Sequence, residues 1–167
     1  MKKTLFALPA LLGLALALQG CAPSSAAPGS ATGNEGATSA AARLPLVVVH
    51  KNASCGCCNG WVDHMRAAGF RVQVRNEDNL NPIKERVGVP VGKGSCHTAE
   101  VGGYFVEGHV PAADIKRMLA ERPAAKGLVL PGMPIGSPGM ESPDGRSQPY
   151  TVELVGSDGG TSAFSRH

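Results

Sequence analysis

Three cysteines fall within four positions, Cys55-Gly56-Cys57-Cys58, and a fourth, Cys96, stands far downstream. This spacing constrains the chain more than any other feature. Adjacent Cys57 and Cys58 can join only through a small, strained ring. Cys55 and Cys57 are too close along the chain to brace anything. A disulfide needs Cα atoms ~4.4–6.8 Å apart, and it stabilises most when it closes a long loop. Three clustered thiols and one distant thiol cannot supply two good staples. Gly56 lets the backbone turn tightly, so that several sulfurs converge. The pattern therefore reads as a soft-metal ligand set. Thiol redox is the alternative, because Cys55 and Cys58 keep the Cys-x-x-Cys spacing.

The flanks of the cysteine turn indicate the fold. Leu46-Val47-Val48-Val49 is a continuous apolar, β-branched run and predicts a buried central strand. After the turn, Trp61, Val62, Met65 and Ala68 recur at helical spacing, and Gly69 is placed to stop that helix. Phe70, Val72 and Val74 alternate with polar residues, which predicts a second strand. A strand-helix-strand unit makes parallel strands the default. Asn81-Pro82 opens a short helix that Gly88 closes. A strand is expected near Ser95–Ala99, and Gly102-Gly103 turns it into an antiparallel partner at Tyr104-Phe105-Val106. Pro111 opens a helix with Ile115, Met118 and Leu119 on one face, and Pro123 ends it. Residues 127–149 are rich in Pro and Gly and read as a long loop. A strand over 150–155 and a partner near 161–164 form a C-terminal hairpin. The order is that of an α/β, thioredoxin-like β-α-β-(α)-β-β-α sandwich. That fold places reactive cysteines in the turn after the first strand, and here the turn is Cys55–Cys58.

Ahead of the fold lies an export signal. Lys2 and Lys3 precede an apolar run from Leu5 to Leu18, too short for a spanning helix of ~20 residues. The run ends in Leu18-Gln19-Gly20-Cys21, which resembles a lipobox. The expected organisation is a lipoprotein signal peptide over 1–20, a lipidated Cys21 with a flexible tether over 21–43, and one domain over 44–167. The tether is mostly Ala, Ser, Gly, Pro and Thr and cannot bury a core. Ala22 stands where an inner-membrane retention Asp would sit, so the expected location is the bacterial envelope, facing the periplasm. Anchoring in the outer membrane is favoured over the inner. Without Lys2 and Lys3 the 16 Lys and Arg become 14, against 13 Asp and Glu. Charge so balanced, with a single Trp, gives no basic face for nucleic acid.

The remaining donors narrow the metal. Helix-terminal amides lower the pKa of thiols placed among them. Thiolates select Cu(I), zinc or iron–sulfur clusters. Structural zinc sites combine two closely spaced ligand pairs, whereas Cys96 has no partner cysteine. Iron–sulfur clusters assembled in the cytosol do not suit this export route. Copper, as Cu(I) bridged into a multinuclear cluster, remains, held by Cys55, Cys57, Cys58 and Cys96. Met133 and Met140, in a Gly/Pro loop, are further candidate ligands, as is His97 beside Cys96. On a strand His97 would point away from Cys96, leaving it a supporting role or a surface position. His50 is expected near the cluster as a tuner, His64 facing solvent, His109 as a satisfied loop residue and Trp61 in the core.

Cys55-Gly-Cys-Cys58 with Trp61, Ser95-Cys-His-Thr-Ala99, Gly103-Tyr104, Val106-Glu-Gly-His-Val-Pro111, Glu121-Arg-Pro123 and the run from Pro131 to Glu141 together resemble one family. It is the family of periplasmic thioredoxin-like metal-binding proteins, long described as a domain of unknown function, that includes copper-resistance proteins of CopG type. The likeness spans about residues 46–165. It implies a thiolate-bridged cluster of several copper ions on the four cysteines, and a role in interconverting Cu(I) and Cu(II). Copper ions and other copper-handling envelope proteins are the implied partners. The function expected is copper sequestration or redox handling in copper resistance, with a thiol–disulfide oxidoreductase as the alternative. An enzymatic role, on copper or on thiols, is left open.

Overall fold

Strand β1, Val47–Lys51, is the axis on which the molecule is built. The computed structural model describes residues 43–167. The expected signal peptide, Cys21 and all of the tether but Arg43 lie outside the described residues. The elements that follow β1 are α1 (Gly56–Ala67), β2 (Val72–Asn76), α2 (Asn81–Val87), β3 (His97–Val101), β4 (Tyr104–Glu107), α3 (Ala112–Glu121), β5 (Ala125–Val129), β6 (Thr151–Gly156) and β7 (Thr161–Arg166). All seven strands form one sheet in the order β2-β1-β3-β4-β5-β6-β7. β2 runs parallel to β1, and β3 runs antiparallel to it, with Lys51 opposite His97. The first four strands and their helices keep the order and directions expected of a thioredoxin-like α/β fold. β6 and β7 form the expected C-terminal hairpin.

The core explains these choices. Trp61, Val62 and Met65 of α1 and Ile115 and Met118 of α3 are buried with Val47, Val49, Ala99, Val106 and Leu128 of the sheet. Each fully buried side chain of this size contributes ~1.5–3 kcal/mol. Trp61 donates from Nε1 to the Val110 carbonyl at 2.9 Å, so its one polar atom is satisfied. Successive strand residues face opposite sides. Phe105 therefore faces away from Val106 and gathers with Val129, Val155 and Val87 of α2.

Two boundaries differ from the sequence reading. Residues 127–129 are not loop: they complete β5, which lies parallel to β4. Pro123, Gly127 and Pro131 disguise this short strand. Gly127 is nonetheless required there, because a Cβ would strike the Phe105 carbonyl. The long loop thus begins at Leu130. Cys96, expected on a strand, immediately precedes β3.

Candidate metal centre

The sulfurs collect where α1 begins. Cys55 is the N-cap residue, with no side-chain cap and no acid in the first turn. The amides of that turn are left to polarise the cysteines among them. Cys57 and Cys58 lie in the first turn, and Cys58 is fully buried. Cys57 Sγ lies 3.5 Å from Cys55 Sγ and 3.9 Å from Met133 Sδ. Cys58 Sγ lies 3.8 Å from the Cys96 carbonyl. The four sulfurs of Cys55, Cys57, Cys58 and Cys96 all lie within 4.8 Å of one another.

One pair is joined: Cys55 and Cys58 form a disulfide, while Cys57 and Cys96 are free thiols. This corrects the expectation of four separate thiolates. Three residues apart on a helical turn, the pair has Cα atoms 5.4 Å apart, inside the range a disulfide accepts. The pairing is a single short bridge, not the two staples of a purely structural framework.

Cys96 is held from both sides. The fully buried carboxylate of Glu107 accepts from the Ser95 amide at 2.5 Å and from Thr98 Oγ1 at 2.7 Å. Lys84 forms an ion pair with Glu107 and donates to the Ser95 carbonyl and to Thr98 Oγ1, each at 3.1 Å. A buried ion pair is stable only when its spare donors and acceptors are matched, and here they are spent on the residues around Cys96. Burial, followed by the neighbouring Cys57, pushes the Cys96 thiol up to about 11.

Two imidazoles complete the shell. His109 Nε2 lies 3.0 Å from Cys96 Sγ, and its Nδ1 lies 2.8 Å from the Pro138 carbonyl. A carbonyl only accepts, so Nδ1 carries the proton and Nε2 turns its lone pair toward the sulfur. Burial holds His109 below the usual histidine range. His97 Nδ1 lies 3.4 Å from Cys96 Sγ. His97 is completely buried rather than a surface residue, with its ring 4.5 Å from Trp61 and 5.0 Å from His109. It points inward because Cys96 precedes the strand and escapes the alternation that would have set the two apart. Its pKa falls well below the ordinary value, through burial first and then through His109, Lys84 and Lys51.

The loop after β5 closes the site. Ser95 Oγ donates to the Gly132 carbonyl at 2.6 Å. Farther along, Gly139 rests its backbone on α1. A Cβ at Gly60 would come within 2.9 Å of Gly139 Cα, and one at Gly139 (φ +82°) would lie 2.5 Å from the Trp61 amide nitrogen. Met133 thereby reaches Cys57. Met140 takes part through its main chain, donating to the Ser137 carbonyl and accepting from Gly136.

The other histidines stand elsewhere than expected. His50 is bound on one side to Glu77 and faces Glu100 on the other, on the sheet face opposite Lys51, so it is not a tuner in contact with the sulfurs. His64 is half-buried rather than simply solvent-facing. Its Nε2 accepts from the Ala112 amide, the first of α3, at 3.0 Å. His109 is the site residue that sequence reasoning missed. The β3–β4 hairpin pairs Thr98 with Glu107 and Val101 with Tyr104. Counting outward from Gly102-Gly103 places position 109 opposite position 96.

The family model described as a protein of unknown function, DUF411, matches residues 93–140, which include Cys96, His97, His109, Met133 and Met140. No curated protein sequence matches the chain. Two solved structures, forms 1 and 2 of a copper resistance protein CopG, each share 44% sequence identity with it at a TM-score of 0.70. Each match covers 74% of this chain and 98% of the solved one. The chain belongs to the DUF411 family, which includes copper resistance proteins of CopG type.

Proposed function

We propose that this protein binds copper through Cys55, Cys57, Cys58 and Cys96, in copper resistance. The observation that carries the reading is the convergence of four sulfurs within 4.8 Å of one another. Thiolates bridge Cu(I) readily, and a thioether adds a neutral soft donor, the role given to Met133. Cys55 and Cys58 must be reduced before all four sulfurs serve, so the disulfide is the form of low capacity. His109 and His97 orient and surround Cys96. Met140 shapes the loop that carries Met133. Cu(I) in a multinuclear cluster suits this donor set best. The sequence of the first 43 residues supports export and a lipid anchor at Cys21, which would set the domain in the envelope among other copper-handling proteins.

The test is a metal-to-protein ratio on the purified full-length chain. Reduced protein given Cu(I) without oxygen is expected to retain more than one copper per chain, and disulfide-bonded protein far less. Failure of the reduced chain to hold any copper against a moderate chelator rejects the proposal. A second reading, thiol–disulfide oxidoreductase, draws on the Cys55–Cys58 disulfide at the start of α1. Cys57→Ser separates the two. An exchange enzyme keeps its activity, whereas a copper cluster loses stoichiometry.

A further inference from the structure

The end of the sheet away from the sulfurs has a character of its own. From the cysteine turn α1 runs 12 residues, ~18 Å, before Gly69 turns the chain into β2. The described residues begin at this end too. A Cβ at Gly69 would lie 3.8 Å from Leu44 Cδ1, and one at Gly102 would lie 3.6 Å from Pro45 Cγ. The Val47 amide donates to the Arg71 carbonyl at 2.9 Å, so β1 and β2 start side by side. The Tyr104 hydroxyl donates to the Pro123 carbonyl at 3.0 Å, which brings the exit of α3 to the same place.

Cations gather here without acids. Arg43, Arg71, Lys116, Arg122 and Lys126 are all exposed. Among the described residues none of the five forms an ion pair. Lys116 Nζ stands 5.9 Å from the centre of the Phe70 ring, beside Arg71. The acids nearby are already matched: Asp63 by Arg66, Glu100 by Arg86 and Glu121 by Arg117. A cleft of about 550 Å³ opens among these elements, lined by Leu46, Gly102, Tyr104 and Lys126, with the Arg86–Glu100 pair on its wall. Leu46 is 38% exposed.

The chain ahead of Arg43 selects the occupant. It reaches Cys21 within 22 positions. A stretch of that length and composition spans roughly 26 Å end to end. A lipid on Cys21 therefore brings this end of the domain first within reach of headgroups. Contacts too weak to recruit a protein from solution are enough to orient one so tethered. Each Lys or Arg near an anionic bilayer strengthens association about fivefold. We propose that this basic end, with Leu46 among its cations, docks on anionic lipid headgroups and turns the cysteines away from the membrane. The proposal rests on the lipid anchor at Cys21 and involves no copper.

The test uses the full-length, acylated protein reconstituted into vesicles of brominated phosphatidylcholine, with or without phosphatidylglycerol. Leu46→Trp supplies a reporter, and fully buried Trp61 gives a constant background. Bromine quenching of the new indole is expected to be at least about twofold greater with phosphatidylglycerol. The difference should vanish near 1 M salt, where the Debye length is ~3 Å. Arg71→Gln, Lys116→Gln and Lys126→Gln together should weaken docking by about fivefold per charge, whereas Arg71→Lys, Lys116→Arg and Lys126→Arg keep it. A second readout needs no reporter and decides if the Trp variant does not fold. Trypsin cutting after Arg43 frees the domain from the vesicle, and release is expected to slow about fivefold with phosphatidylglycerol. Equal quenching and equal release in the two kinds of vesicle overturn the proposal, as does a neutral triple variant that docks like the unaltered protein. Absence of acyl chains on Cys21 by mass spectrometry also overturns it, by removing the anchor, and leaves copper retention to be judged by itself.

Discussion

Cys96 depends more on pH than any other feature of the copper proposal. Its thiol is pushed up to about 11, chiefly by burial, so it keeps its proton at neutral pH until a metal displaces it. Capturing copper with Cys96 must therefore release a proton. Affinity is expected to rise about tenfold per pH unit between pH 6 and 8 for each proton so released. Competition against a chelator of known pH dependence checks the slope. Cys96→Ser should weaken retention at least tenfold, about 1.4 kcal/mol, and flatten that slope by one proton. The cysteines were legible in the sequence because their spacing excludes ordinary staples. His109 was not, because its partner lies across a hairpin and only a strand register reveals it.

The elements that carry the site meet without side chains between them. Gly139 lies against the backbone of α1 at Gly60. Gly139→Ala forces a Cβ into the Trp61 amide and the Cys57 carbonyl at a left-handed φ, and is expected to cost more than about 2 kcal/mol. Gly145→Ala has a comparable φ of +74° but no atom within 4 Å, so only ~1 kcal/mol is expected. Thermal unfolding of the two variants separates contact from backbone strain. Only the first should also loosen copper, by moving Met133 from Cys57. Most elements could be read directly from the sequence. The helices show clear periodicity with Pro and Gly boundaries, and β1 and β4 are apolar runs. β5 was not, because its pairing with β4 demands Gly127, a residue that reads as loop wherever tertiary contact is unseen. The Cys55–Cys58 disulfide was legible only as the Cys-x-x-Cys spacing behind the thiol-redox alternative, because the turn that brings the two sulfurs together exists only once α1 has formed.

At the scale of the molecule, burial decides the response to acid. His64, His97 and His109 all have pKa values lowered from the ordinary 6.5, with burial the largest cause. Unfolding returns them to water, where they take protons below about pH 6.5 that the folded forms refuse. The unfolded chain then binds more protons, so stability is fully present above that pH and declines as pH falls. Thermal or denaturant unfolding of the metal-free protein between pH 7.5 and 5 is expected to show this loss, and His64→Gln should reduce its slope. The last stretch of the long loop bears on how the protein can be handled. From Pro143 to Pro149 every residue is exposed, while the earlier part is pinned to Ser95, His109 and α1. Within it, Gln148 holds the main chain of Ile135 through two hydrogen bonds and Ser147 packs on Gly136, so a fluorophore or spin label belongs near Gly145, where nothing lies within 4 Å, to report copper loading without disturbing the loop that carries Met133.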